Sequence, residues 1–200
     1  MIEHVVLIDD DPAIRQSLQW LLEGAGIALH SYATAKAFLA DGDIEQAGCI
    51  ILDLCMPQMS GAQLQAELNQ REYCPPIIFL TGEADVSTTV RLFKNGAYDL
   101  LEKPVDPTIL LHAIRQACTL NQRQRRQCYE QQTIRAKLAQ LSAREQEILM
   151  LVQAGAQNKQ IADKLNIALR TAEIHRHNMM KKMGCTTPIQ LVQMLVSVAS

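Results

Sequence analysis

Five short apolar runs, separated by segments of helical periodicity, predict a doubly wound α/β fold with a five-stranded parallel sheet. A stretch without glycine or proline, from Thr108 to Ala154, predicts a long helical linker into a small all-α domain of four helices. The charge divides at the same place. Residues 1–120 hold 7 Lys+Arg and 16 Asp+Glu, a net −9, while residues 121–200 hold 12 and 5, a net +7. The formal net charge of −2 hides this asymmetry, which suits a regulatory or metal-binding half joined to one that approaches a polyanion.

The runs Val5–Ile8, Ile27–Leu29, Cys49–Leu52, Ile77–Leu80 and Asp99–Leu101 are apolar enough for strands buried on both faces. Ile14, Leu18, Leu21 and Leu22 repeat at helical spacing between the first two, as do Leu64 and Leu68, and Val90 and Phe93, further on. Asp11 followed by Pro12, and Asp106 followed by Pro107, are helix starts in which the carboxylate caps and proline takes the first helical position. Residues Asn121–Gln127 lack an apolar stripe and are expected either on a solvated helix face or paired with something outside the domain, the solvated face being preferred. Ser142 and Glu145 form a capping box ahead of Ile148, Leu149 and Val152, and Gly155 ends that helix. Further helices are expected at about Asn158–Leu165, Leu169–Met183 and Pro188–Val198, the last opened by Thr187-Pro188. The expected units are 1–120, a linker at 121–138, and 139–200.

At 48% apolar and 20% charged residues, the 200-residue chain is excluded from the collagen-like, low-complexity and disordered classes. No apolar run approaches the roughly 18 residues of a membrane span, and Glu3 stands where a leader would be basic, so a soluble cytoplasmic protein is expected. None of the six cysteines forms a CxxC pair, and reduced thiols are expected, with Cys49 and Cys55 as plain core residues.

In a doubly wound sheet, ligands sit at the carboxyl ends of the strands. Those ends carry Asp9-Asp10-Asp11, Asp53, Thr81 and Lys103. Converging carboxylates raise each other's pKa unless a cation joins them, and Mg²⁺ (or Mn²⁺) prefers hard oxygen ligands. Asp53 then suits a nucleophile toward phosphorus, with Lys103 and the Thr81 hydroxyl on the phosphoryl oxygens. VVLIDDDP, IILDLCMPQMSG, FLTG and LLEKP resemble the motifs of bacterial response-regulator receiver domains, whose sheet is flavodoxin-like, over about residues 1–120. The resemblance implies that Asp9 and Asp10 are the acidic pair, Asp53 the phosphoacceptor, Thr81 the switch hydroxyl and Lys103 the family's lysine. It also implies a main-chain carbonyl ligand from Cys55 and a cis peptide before Pro104. Leu100 replaces the family's rotating aromatic, and Tyr98, though near in sequence, is not expected to substitute for it.

In the basic half, Asn158–Leu165, a turn at 166–168 and Leu169–Met183 read as a helix-turn-helix. Ala172, His175, Met179 and Met183 are expected to face its core, leaving Arg170, Glu173, Ile174, His177 and Lys181 on the open face. LSAREQEIL, NKQIADKL and RTAEIHRHNMMKKMG are similar to LuxR-type helix-turn-helix domains, so the whole resembles a FixJ/NarL-class response regulator of FixJ/StyR flavour. That likeness implies phosphate contacts from Asn158, Lys159, Thr171 and Arg176, groove contacts from Glu173, Ile174 and His177, and a dimer face at Ile189, Val192, Leu195 and Val196. Ala168 stands where the family has a capping serine. The implied partners are double-stranded DNA, a sensor histidine kinase and a second copy of the chain, with RNA polymerase as a further candidate. The alternatives are a phosphorylation-independent DNA binder with a vestigial receiver and a flavodoxin-like phosphotransfer enzyme. The absence of GxGxxG or a P-loop weighs against the enzyme.

Overall fold

The computed structural model describes residues 4–42, 44–71, 73–82 and 85–199, with side chains to residue 196. Glu3, and with it the reading of the chain start, lies outside the described residues. The chain divides into two compact units, Met1–Gln124 and Arg125–Ser200.

The first unit alternates β1 (His4–Ile8), α1 (Pro12–Gly24), β2 (Leu29–Tyr32), α2 (Ala35–Asp41), β3 (Ala47–Asp53), α3 (Gly61–Leu68), β4 (Ile77–Thr81), α4 (Val86–Lys94) and β5 (Asp99–Glu102), and then enters α5 (Pro107–Ala139). All pairings are parallel in the order β2-β1-β3-β4-β5, which reverses between β1 and β3 and so opens a crevice at their carboxyl ends. Because side chains alternate along a strand, each strand feeds two cores. Val6, Ile8, Ile50, Leu52 and Phe79 pack with Phe38, Leu64 and Leu92 on one face. Val5, Leu7, Ile51, Ile78 and Leu80 pack with Leu18, Leu22, Leu110 and Ile114 on the other.

Both proline-opened helices are capped as expected. Asp11 Oδ1 accepts from Ala13 N–H at 2.8 Å, and Asp106 Oδ1 accepts from Thr108 N–H at 2.7 Å. Two expectations fail here. The second strand is not Ile27–Leu29 but Leu29–Tyr32; it lies at the sheet edge, where one side of the strand has no partner among the described residues and His30 and Ser31 are tolerated exposed. Asn121 is not solvated: it is fully buried, and its Nδ2 donates to the Ala47 carbonyl at 3.0 Å, while the Tyr73 hydroxyl bonds its Oδ1. Periodicity cannot see a buried amide that is satisfied at both ends.

In the second unit α6 (Ala143–Gln153), α7 (Asn158–Leu165), α8 (Leu169–Met183) and α9 (Pro188–Ala199) enclose Ile148, Val152, Ile161, Ala172, Met179, Met183 and Leu191, together with Ile134 of α5. The α7–α8 turn is possible because Asn166 takes the left-handed conformation at φ 50°, which asparagine tolerates better than most residues. His175 is only half-buried, whereas the other three residues expected on the core side of α8 are fully buried. Ala168 provides no side-chain cap for α8.

The capping box of α6 is doubly made. Ser142 N–H donates to Glu145 Oε2 at 2.8 Å, and Lys182 Nζ lies 2.7 Å from the same oxygen. Lys182 first, and the Ser142 N–H second, hold the buried Glu145 carboxyl below its ordinary value of 4.5. The lowered native pKa means that the stabilisation is present above the ordinary carboxylate pKa and is lost as pH falls through the native one. Glu145→Gln is therefore expected to lower the melting temperature at neutral pH. The gap from wild type closes in acid; a gap that is constant with pH would show that the charge contributes nothing.

Candidate functional site

Four strand ends build the acidic pocket. Asp9 follows β1 and is fully buried; Asp53 ends β3 at 5% exposure, and Thr81 ends β4 at 1%. Lys103 follows β5, and its Nζ lies 2.7 Å from Asp9 Oδ2 and 2.6 Å from Asp53 Oδ1. Backbone donors fix both acids: Asp11 N–H reaches Asp9 Oδ1 at 2.9 Å, and Cys55 N–H reaches Asp53 Oδ2 at 2.9 Å. Lys103 is positioned in turn by its own N–H, which donates to the Thr81 carbonyl at 2.7 Å, and the peptide from Lys103 to Pro104 is cis.

Burial pushes the Asp9 carboxyl above the ordinary range, with the Lys103 hydrogen bond opposing it. Burial also works against charge on Lys103, but hydrogen bonds to Asp53 and Asp9 outweigh it and raise the ammonium pKa, so the lysine stays protonated. The pocket is therefore two carboxylates aimed at one cationic point.

Two sequence-based expectations need correction. Asp10 is exposed, and among the described residues no three acid, His or Cys side chains are close enough to hold a metal ion together. Both aspartates lie beyond the last residue of β1, and of the two it is Asp9 that is buried. Cys55 is exposed and not a core residue, because the chain leaves the sheet at Asp53; Cys49 is buried as expected.

Leu100, on β5, packs half-buried against the cluster that holds Phe79. Tyr98 joins the opposite cluster, its hydroxyl 3.5 Å from Gln116 Oε1, so it does not stand in for an aromatic at Leu100. Gly61 brings α3 against the strand end: a Cβ there would lie 2.3 Å from the Asp53 carbonyl oxygen. Neither this close approach nor α2 had a periodic signature in the sequence.

On the second unit, Arg170, Ile174, His177 and Lys181 are exposed along α8 and Glu173 is half-buried, its carboxylate 3.5 Å from Arg170. A groove of about 700 Å³ runs between the start of α7 and α8, lined by Asn158, Lys159, Glu173 and Arg176. Thr171, in the first turn of α8, is half-buried. On α9, Ile189 and Val196 are exposed at 69% and 58%, while Val192 and Leu195 are half-buried and Leu195 leans on the unit's core.

Residues 5–115 match the response regulator receiver domain, and residues 139–195 match the bacterial regulatory proteins of the luxR family. The chain is 40% identical over 190 residues to the transcriptional regulatory protein FixJ of Azorhizobium caulinodans, spanning 95% of this chain and 90% of FixJ. It is 38% identical over 192 residues to the C4-dicarboxylate transport transcriptional regulatory protein DctR of Rhodobacter capsulatus, spanning 95% and 98%. A low-resolution structure of the response regulator StyR aligns with a TM-score of 0.89 at 38% identity, over 96% of this chain and 98% of that one. Fold and pocket thus define a receiver joined to a helix-turn-helix. The chain belongs to the two-component response regulators with a LuxR-type output domain, and it is a DNA-binding transcription regulator.

Proposed function

We propose that a partner sensor histidine kinase phosphorylates Asp53 and that the modification controls dimerisation and promoter binding. The observation that carries this reading is the Lys103 ammonium held between Asp9 and Asp53 at 2.7 and 2.6 Å. It shows that carboxylates from two strands converge on a single site for positive charge. Such a donor set fits Mg²⁺ or Mn²⁺, which takes a few hard oxygens and keeps waters elsewhere. Asp9, Asp53 and the Cys55 carbonyl would hold the ion, with the exposed Asp10 carboxylate as a further ligand. When bound, it neutralises the acids and the incoming phosphoryl oxygens.

One Asp53 oxygen displaces the donor nitrogen at phosphorus, the N–P bond breaks, and an acyl phosphate forms. Lys103 stabilises the transferred group by charge and the Thr81 hydroxyl by hydrogen bonding. Drawing Thr81 toward the new dianion opens space beside Leu100. These two residues form the switch that biases a two-state receiver surface, with the aromatic readout absent. The protein then acts in the cytoplasm as a dimer on double-stranded DNA, paired through Ile189, Val192, Leu195 and Val196, with RNA polymerase as a further contact. Sedimentation of the full chain with an acyl-phosphate donor and Mg²⁺ is expected to show a heavier species than without the donor. An unchanged size in a fully phosphorylated sample would refute phosphorylation-driven dimerisation.

For the output face we assign phosphate contacts to Asn158, Lys159, Arg170, Thr171 and Lys181, and base-edge contacts to Glu173, Ile174 and His177. Arg176 shares this groove. Lys159→Ala is expected to weaken binding to all duplexes and to reduce the salt slope by about 0.9, the value for one released counterion. His177→Ala is expected to alter sequence preference. A Lys159→Ala protein that changed a single base preference would contradict this division.

A further inference from the structure

We propose that Arg176 is a positioning residue for the DNA-binding face, acting through Asn158, and not itself a phosphate ligand. Its Nη1 donates to Asn158 Oδ1 at 2.8 Å and to the Ala156 carbonyl at 3.3 Å, which ties α8 to the turn before α7. Arginine has only donors, so the acceptor end of the Asn158 amide must face it, and the amide N–H₂ is left as the side-chain group that Asn158 presents outward. A phosphate oxygen only accepts, so Arg176 fixes Asn158 in the orientation that suits phosphate. The same bond sets the α7 start against the recognition helix. Gln157, between the two residues that Arg176 contacts, donates its N–H to Gln160 Oε1 at 2.8 Å, so the turn is held there as well. The Nη1 donors of half-buried Arg176 are taken by two neutral acceptors inside the protein, whereas Lys159 is exposed on the same groove and is assigned its ionic contact.

This inference rests on the DNA-contact reading above, and one experiment separates the two. The full-length chain is titrated with a short mixed-sequence duplex over a range of salt, using wild type, Arg176→Met, Asn158→Ala, the double variant and Lys159→Ala, with melting temperatures recorded in parallel. Arg176→Met and Asn158→Ala are each expected to weaken binding roughly five- to tenfold with the salt slope unchanged, and the double variant to be no weaker than either single one. A slope reduced by about 0.9 in Arg176→Met, or additive losses in the double variant, would overturn the proposal. If Lys159→Ala also leaves the slope untouched, the groove reading itself fails. Asn158→Asp covers the case in which Arg176→Met does not fold. It keeps an acceptor for Arg176 but replaces the outward N–H₂ with a carboxylate oxygen, so binding is expected to fall below that of Asn158→Ala. Binding equal to wild type would overturn the proposal.

Discussion

Asp53→Asn is expected to abolish labelling by a small acyl-phosphate donor in the presence of Mg²⁺, while wild type is labelled at a single site. The amide keeps the shape of the side chain and can still accept from Cys55 N–H, now 2.9 Å away from the carboxylate, so the fold should survive. What goes is the nucleophile and one of the two negative partners of Lys103. The variant should remain monomeric with the donor and retain only the basal affinity for DNA. Mass spectrometry of the intact chain checks this directly. Equal labelling of both proteins would remove Asp53 from the role assigned to it, and with it the switch through Thr81.

Gly61→Ala is expected to destabilise the receiver strongly for a change of a single methyl group. The added Cβ would meet the Asp53 carbonyl oxygen at 2.3 Å and Phe79 Cε1 at 3.1 Å. The first neighbour is backbone at the end of a central strand and cannot swing aside. Gly61 N–H also donates to the Leu54 carbonyl at 3.0 Å, which keeps the approach close. Relief requires α3 to move away from β3, at a cost of about 3 kcal/mol by analogy with overpacked cores. Thermal denaturation should show the loss, and labelling should slow, because the displaced strand end carries the phosphoacceptor. A melting temperature within a degree or so of wild type would mean that the helix start can shift freely.

Where local chemistry determines structure, the sequence is a sufficient guide. Asp11-Pro12, Asp106-Pro107 and Ser142 with Glu145 specify helix starts through their own side chains, and each is found as such. Central strands also declare themselves, since burial on both faces demands unbroken apolar runs. Edge strand β2 does not, because its exposed His30 and Ser31 carry no such demand. The pocket was legible as a set of residue types at strand ends, yet which of two adjacent aspartates is buried there depends on how the chain leaves β1, and it is Asp9. Asn121 and Gly61 were invisible for a related reason. Their importance comes from a carbonyl distant in sequence, Ala47 in one case and Asp53 in the other. In the same way, the Arg176 bond to Asn158 joins residues 18 positions apart and has no periodic trace.

The sheet that separates the two receiver cores also works as an insulating partition. A methyl group removed from Leu22 loosens the layer beneath α1 and α5, and one removed from Leu64 loosens the layer beneath α2 to α4; the intervening strands keep the two voids from merging. Mutational drift can thus proceed in one compartment while the other holds its shape, and the shared strand ends, where Asp9, Asp53, Thr81 and Lys103 meet, are the part of the domain answerable to both.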